Sequence, residues 1–408
     1  MLFQLAWRNL WRNPRRTLIT AASVFFAVIL AVLMSSMQQG VWDNMIDNLV
    51  SLQTGHLRVE ADDYRDEQVL DNGFPASDSM LKALSALEGV ASAHPKLDGF
   101  VLASAGDQSR VGMVQGLDAM AFAHRANRLV AGSIPAGNPP TTRRVGRAVV
   151  GVELAEYLHQ ELGDTLVLLG QGYRGSVAAQ LVVIDGLVDL GNPDLNRATV
   201  YLPLADAQRL FAAEGIWTGI VLEPDNRVAL QDLAQHAAAV AGNGFVAPTW
   251  EDMLPEIKQA READEGGGLM MLFILYMLIG FGILGTILMM TLERQYEFGV
   301  LVAVGMRRSK LGFLVLVEGF LVAMLGALGG LGASFPVIHY LARNPIPLQG
   351  ALADAYVSYG FDPVFAFSTN TAIFTQQAIV VACIALVVST YPLYRISRLE
   401  PVQAMRAG

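Results

Sequence analysis

Cysteine is nearly absent: Cys383 is the only one in 408 residues, so no disulfide framework holds this fold, even where part of it faces an oxidising compartment. Charge is scarce as well. Charged residues make up 16% and apolar ones 53% of the chain, against about 25% and about 45–50% in soluble globular domains. That balance excludes an ordinary water-soluble globule and calls for lipid contact. The clustered Lys and Arg of a nucleic-acid surface are missing too, because residues 40–268 carry 31 acidic against 16 basic side chains, a net of −15; no nucleic-acid partner is expected. Metal-ligand spacing is also lacking. His56, His94, His124, His159 and His236 are scattered, with no i, i+4 pair and no Cys partner, so neither a metal centre nor a catalytic set is expected.

What the chain does have is four long apolar runs. Residues 18–38, 269–292, 311–342 and 371–394 each reach the ~20 residues a helix needs to cross a bilayer core, and Glu318 is the one charge among them. The first run exceeds the 7–15 residues of a secretory signal core, and no A-x-A cleavage site follows it, so it reads as a retained span. Basic residues crowd the ends of these runs. Arg8, Arg12, Arg15 and Arg16 precede the first, Arg294, Arg307, Arg308 and Lys310 lie between the second and third, and Arg395, Arg398 and Arg406 follow the fourth, while 343–370 has only Arg343. Cytoplasmic flanks are enriched in Lys and Arg. The expected topology is spans at 18–39, 269–292, 311–342 and 371–394, with 293–310, the tail 395–408 and the amino terminus in the cytoplasm and 40–268 and 343–370 outside.

Between the first two spans the text changes to short alternating runs broken by turn signals such as Asp71-Asn72-Gly73 and Asn138-Pro139-Pro140. Strands are expected at 55–60, 110–115, 165–169, 180–187 and 199–202, and helices at 77–87, 151–161, 203–211 and 228–240, from period-two and helical spacing respectively. The fold class is a membrane protein with four transmembrane α-helices plus a large extracytoplasmic mixed α/β domain, which at 229 residues is long enough to bury its own core. Val41, Met45, Ile46 and Leu49 keep helical spacing beyond the first span, and 250–265 is polar and helical before the second. Paired helical stalks are expected there. Gly266, Gly267 and Gly268 read either as a hinge in one stalk or as a plain break at the membrane interface.

The segment 293–310 carries Glu293 and Glu297 at its start and ends at Gly305 followed by Arg307, Arg308 and Lys310, charges suited to the two ends of a short helix. Tyr296, Val300, Leu301 and Val304 would form its apolar side. Two readings fit: a docking element for another protein, or an interfacial helix with no partner. The pattern E-R-x-x-E-x-G-x-L-x-A-x-G-x-x-R over 293–308, running on to Leu316-Val317-Glu318-Gly319, resembles the signature of the FtsX-like, MacB-type ABC transporter permease family. Further likenesses follow in the family's order. They are Ala6 to Arg16 as an interfacial helix within 1–17, Gly163-Asp164 before a strand, Val200 to Pro203, and a tail with Pro401, Ala404 and Met405. The size of the outer domain resembles the layout of the lipoprotein-releasing LolC/LolE branch.

The resemblance implies a coupling helix, with Glu293, Arg294, Glu297, Gly299, Leu301, Gly305, Arg307 and Arg308 docking on an ABC ATPase subunit. It implies a second permease copy or paralogue, a bacterial inner-membrane location, and movement of the outer domain that expels lipoprotein or another amphiphile. Membrane lipid and a lipoprotein or periplasmic adaptor would be further partners; activating a periplasmic hydrolase and exporting a drug or peptide are the alternatives. No G-x-x-x-x-G-K-[ST] phosphate loop occurs in the sequence, so no cofactor is expected on this chain, and ATP and Mg would belong to the partner ATPase. One departure stands out: 170–175 joins two strands with little room for the long hairpin by which LolC-type proteins recruit a carrier.

Within the membrane, Glu318 lies roughly 12 Å along its helix from Lys310 at 1.5 Å per residue. A structural pair, interfacial solvation, and a proton or substrate role all fit it. Gly326 and Gly330 form a G-x-x-x-G step, with Gly319, Gly329 and Gly332 nearby and Gly282 and Gly285 in the second span; tight packing within the chain and contact with a second copy both use such steps. Phe25, Phe26, Met34 and Met37 of the first span and Met270, Met271, Phe273 and Met277 of the second are soft apolar side chains. An acyl chain entering between subunits would meet them, and so would ordinary lipid.

Overall fold

A computed structural model describes residues 2–50, 54–135, 145–225, 229–358 and 363–397. The turn at Asn138-Pro139-Pro140, the first residue of the helix expected at 228–240, and the tail residues Arg398, Pro401, Ala404, Met405 and Arg406 lie outside them. Elements are numbered in chain order. First come α1 (Leu2–Leu10) and α2 (Pro14–Leu49). There follow β1 (Leu57–Ala61), α3 (Asp62–Asp66), β2 (Phe74–Pro75), α4 (Asp78–Ser85), β3 (Val90–Ala105), β4 (Gln108–Leu117), α5 (Ala119–His124), β5 (Leu129–Gly132) and β6 (Val145–Gly151). Next are α6 (Val152–Tyr157), β7 (Thr165–Gln171), β8 (Val177–Val188), α7 (Pro193–Ala198), β9 (Thr199–Pro203), α8 (Leu204–Leu210), β10 (Ile216–Trp217), β11 (Gly219–Pro224), α9 (Leu230–Ala241), β12 (Phe245–Val246) and α10 (Trp250–Met253). Then come α11 (Pro255–Glu293), α12 (Gln295–Ala303), α13 (Arg308–Arg343), β13 (Ile346–Pro347), α14 (Ala351–Ser358), β14 (Val364–Phe365), α15 (Thr371–Ser389) and α16 (Tyr391–Ser397).

These elements form two compact units. The first holds Met1–Asp43, Ala260–Pro347 and Val364–Gly408. Among the described residues, four helical stretches are long and apolar enough to cross a membrane, Pro14–Ile46, Pro255–Glu293, Arg308–Arg343 and Thr371–Ile396. Their core is built from stripes of residues spaced four apart, one per helix: Val24, Val28 and Val32 on α2, Ile279, Ile283 and Ile287 on α11, Ala323 and Ala327 on α13, and Val381 and Ala385 on α15. Lipid tails are as apolar as these side chains, so close packing rather than water exclusion holds such a bundle together. The glycines of α13 supply that closeness. A Cβ on Gly326 would meet the Ala21 carbonyl, one on Gly330 would lie 2.8 Å from the Phe25 carbonyl, and one on Gly319 would lie 2.7 Å from Ile287. Packing within the chain thus occupies these three, whereas Gly282, Gly285 and Gly332 face open space.

The second unit, Asn44–Gln259 with Leu348–Pro363, is α/β. Its ten-stranded sheet contains a closed circuit, β3-β4-β9-β6-β8-β7 and back to β3. The pairings β4 with β9 and β6 with β8 are parallel, and the other four are antiparallel. Alternation sends Val101, Ala103, Val114, Val150, Leu166, Leu168, Val182, Ile184, Val200 and Leu202 inward, where α6 and α8 add Leu154, Leu158, Leu210 and the neighbouring Phe211. Closure removes the strand edges that would otherwise invite aggregation. The first half of β3 extends the sheet through β11, β1 and β12, whose apolar face packs on α4 and α9.

The link between β7 and β8 is short. A single 3-10 turn, Tyr173–Gly175, with Arg174 at φ 53°, joins the two strands. Along α11 the helix runs unbroken through Gly266, Gly267 and Gly268.

Candidate functional site

The segment 293–310 begins where α11 ends at Glu293 and α12 starts at Gln295, with Arg294 between them. Helix α12 stops at a glycine cap. The Met306 N–H reaches the Leu301 carbonyl at 3.0 Å and the Gly305 N–H reaches that of Val302 at 3.1 Å, with Gly305 at φ 105°. Those two bonds satisfy carbonyls that a helix end leaves open, and a left-handed position of this kind favours glycine. Arg307 then caps α13, which Arg308 begins.

One side of α12 is anchored. Phe298 is fully buried with Leu311, Val315 and Ile396, while Leu301 and Val302 pack against them, and Gly299 is buried beside it. The opposite side is open: Tyr296 is 53% and Val304 83% exposed, and Ala303, Gly305, Arg307 and Arg308 are exposed with them. The apolar side expected from the sequence is therefore split, since Val300 and Leu301 are half-buried against the chain's own helices. An apolar tip ringed by arginines remains.

Beneath the segment lies a polar brace that joins it to the start of α2. Arg12 pairs with Glu297 and Arg16 with Glu293. A second Arg16 nitrogen donates to the Thr286 carbonyl at 3.0 Å, and Thr20 and Thr286 share a hydroxyl bond of 3.1 Å. Arg294 contacts Glu297 at 3.1 Å and Glu318 at 2.8 Å, and lies 5.4 Å from the centre of the Phe298 ring. Asn9, at the end of α1, donates to the other Glu318 oxygen. The groups surround a cavity of about 40 Å³, large enough for water.

The members differ in energetic weight. The Arg12–Glu297 pair is half in solvent, with side chains 55% and 40% exposed, and exposed pairs contribute little. Glu318 is 1% exposed and Arg294 14%, so a charge left alone there would be costly. Burial alone would raise the Glu297 carboxyl, but its hydrogen bonds from Arg12 and Arg294 outweigh that and hold it below the usual range. It stays a carboxylate, ready to hold both guanidinium groups.

The remaining membrane residues separate. Phe26, Met270, Met271, Phe273 and Met277 are exposed. Phe25, Met34 and Met37 are half-buried, and the Phe25 ring stacks edge-on against Phe26 at 5.2 Å and faces Gly329.

The α/β unit holds a second charged cluster, on the sheet face opposite the apolar packing of β1 and β11. Arg58 pairs with Glu60 at 2.5 Å and lies 3.8 Å from Asp98, which Lys96 contacts at 3.1 Å. Burial pushes the Lys96 ammonium down to about 8, with Asp98 partly opposing the shift. The Glu60 carboxyl is raised, again by burial, with Arg58 opposing. Alongside, His94 hydrogen-bonds Asp118 at 3.2 Å, and Arg125 lies over the Tyr201 ring at 5.3 Å. Burial works to raise Asp118, but the His94 bond and the Ala121 N–H hold it low. These are ion pairs within a sheet, and no metal-binding group of His, Cys, Asp or Glu occurs among the described residues.

Sequence spacing missed Asn9, Arg12, Arg16 and Thr286 as partners of the coupling segment. A signal existed: Arg12 and Arg16 stand four apart, as do Glu293 and Glu297, a matching spacing of opposite charges in two segments.

Comparisons with known proteins bear on this arrangement. Residues 269–401 match the family described as FtsX-like permease C-terminal, and residues 17–240 match the MacB-like periplasmic core domain. The lipoprotein-releasing system transmembrane protein LolC of Xylella fastidiosa is 21% identical over 292 residues, covering 69% of this chain and 68% of that one. The macrolide export ATP-binding/permease protein MacB of Escherichia coli is 22% identical over 413 aligned positions, covering 98% of this chain; the chain spans 59% of that protein's length. The crystal structure of the periplasmic region of MacB from Actinobacillus actinomycetemcomitans aligns at a TM-score of 0.36 and 13% identity, covering 52% of this chain and 97% of that one.

Proposed function

The chain belongs to the family of ABC transporter permeases that join an FtsX-like permease domain to a MacB-like periplasmic core, and from that premise we propose that it converts ATP hydrolysis on a separate ATPase subunit into movement of its α/β domain. In this reading the exposed tip of α12, with Val304, Gly305, Arg307 and Arg308, docks on the ATPase. Motion passes through the brace to α2 and, directly, along α11. Both helices run on beyond the apolar stretch, α2 to Leu49 and α11 from Pro255. The termini and 293–310 lie in the cytoplasm of a bacterial inner membrane, and two permease subunits work with two ATPases, ATP and Mg being held by the latter. The cargo is a lipoprotein or another amphiphile, drawn from the outer leaflet past the soft side chains Phe26, Met270, Met271, Phe273 and Met277.

The observation that carries the reading is the brace: Glu293 is held by Arg16 of the first span's helix and Glu297 by Arg12 in the turn that leads into it. A docking helix with no mechanical task would not require ties to a helix that begins some 280 residues earlier.

Drug or peptide export is the second reading, and activation of a periplasmic hydrolase stands beside it. The short turn between β7 and β8 favours both over hand-over to a carrier, since it presents no long hairpin. Reconstituting the chain with its ATPase in nanodiscs, loaded with a triacylated lipoprotein, separates these readings. ATP-dependent release supports the lipoprotein assignment. Release of a macrolide or amphiphilic peptide without release of lipoprotein removes it, and ATP hydrolysis unaffected by the permease removes the coupling itself.

A further inference from the structure

Helices α2 and α11 meet a second time, far from the brace. On α2, Gln38 and Trp42 stand one turn apart, and on α11 so do Asp264 and Gly268. The Gln38 amide donates to the Asp264 backbone carbonyl at 2.8 Å and to its carboxylate at 3.0 Å, and the Trp42 indole N–H donates to the same carboxylate at 2.7 Å. Trp42 is buried. The Gln38 side chain occupies the space that a Cβ on Gly268 would need, whereas Gly266 and Gly267 meet nothing within 4 Å. Gly268 is therefore explained by the passage of Gln38, and the unbroken α11 needs no hinge there.

Asp264 and Glu293 are 29 residues apart on one helix, about 43 Å at 1.5 Å per residue. Between the two polar ends, among the described residues, α2 and α11 share an apolar core of Val24, Val28, Val32, Ile279 and Ile283. Apolar surfaces in lipid gain little from any one register, so packed helices can slip along each other, whereas charge-assisted hydrogen bonds are directional and fix register. Two such ends make the pair a single strut.

We propose that Asp264, with Gln38 and Trp42, is a positioning clasp that locks α2 to α11 in register at their outer ends and stays closed throughout turnover, so that motion delivered at the brace leaves without slip. The transmission half of this rests on the function proposed above. The locking half does not.

The test uses the full chain with its ATPase in nanodiscs, in a Cys383→Ser background. Spin labels at Leu30→Cys on α2 and Leu278→Cys on α11 report the helix pair without nucleotide. Asp264→Ala should broaden their distance distribution at least twofold, Trp42→Phe less, and Asp264→Asn, which keeps an acceptor, should restore most of the width. A second pair, at Lys82→Cys and Lys310→Cys, reports ATP-driven movement. Asp264→Ala should reduce that movement at least threefold, with ATP hydrolysis within twofold of wild type. An oxidised Gln38→Cys/Gly268→Cys bridge should preserve it. An unchanged helix-pair distribution in Asp264→Ala, or a bridge that abolishes movement, overturns the clasp. Wild type hydrolysing ATP with no movement would instead sink the proposed function, while the helix-pair labels still decide the clasp.

Discussion

Removing either member of the Arg294–Glu318 pair should destabilise the bundle, and by unequal amounts. At 2.8 Å and an effective dielectric of about 20, the gross attraction is roughly 6 kcal/mol. Most of that is offset by desolvation of the two ions, so the net contribution of the intact pair is small. A single deletion is different because it strands a charge. In Arg294→Met, the carboxylate of Glu318, 1% exposed, keeps only the Asn9 amide, and the cost should reach about 3–5 kcal/mol. In Glu318→Gln, Arg294 still has Glu297 at 3.1 Å, and the amide can still accept, so about 1–2 kcal/mol is expected. Arg294→Met with Glu318→Leu strands no buried charge, only the half-buried Asn9 amide, and should cost less than Arg294→Met alone, about 1–2 kcal/mol. Titrating the purified chain in mixed micelles with a denaturing detergent, followed by circular dichroism, gives all three values. Equal costs for the single variants, or a double variant as unstable as the sum of the two, would refute the reasoning.

Four other outcomes follow from the same geometry. Gly305→Ala forces a side chain into a left-handed turn and should cost about 1–2 kcal/mol at the end of α12, read as faster hydrogen exchange over 301–306. Gly305→Pro and Glu297→Lys should both uncouple ATP hydrolysis while circular dichroism shows the α/β domain folded. Gly326→Val would drive a branched side chain into the Ala21 carbonyl; a loss of about 1–3 kcal/mol in detergent titration is expected. Because burial lowers the Lys96 pKa from 10.5 to about 8 in the folded state, the unfolded chain binds the extra proton between those values. Stability of the α/β domain should therefore rise with pH from 8 towards 10, by at most about 3 kcal/mol, seen as slower exchange of the β3 amides after correction for the intrinsic rate. Lys96→Met should flatten that slope; an unaltered slope counts against Lys96 as its source.

How far the sequence reaches depends on whether a feature is local. The four spans are local, because each needs only its own apolar run, and the spacing of Val41, Met45, Ile46 and Leu49 foretells the continuation of α2 to Leu49. Short strands rich in Val and Leu were equally legible: 165–169 and 199–202 lie within β7 and β9. The longest strand was not. β3 carries Pro95, Gly99 and the buried ions Lys96 and Asp98, so its pattern lacks the alternation that marks a strand with one wet face. Closure of the sheet through β7 was invisible too, since register across six strands is a property of no single segment. The segment 293–310 was marked out by its signature, yet the burial of Phe298 and the pairing with arginines come from packing and from a contact spanning 285 positions. Gly268 shows the same limit: a glycine that read either as a hinge or as a break at the interface lies against the Gln38 side chain, with no room for a Cβ.

The most direct test of the central claim exchanges the charges of one tie in the brace. Arg16→Glu alone and Glu293→Arg alone should each cut the ATP-driven movement between labels at Lys82 and Lys310 at least threefold, while the double exchange restores it to within twofold of wild type. A double exchange as defective as either single variant, or single variants that move as wild type does, would contradict transmission from the coupling segment to α2.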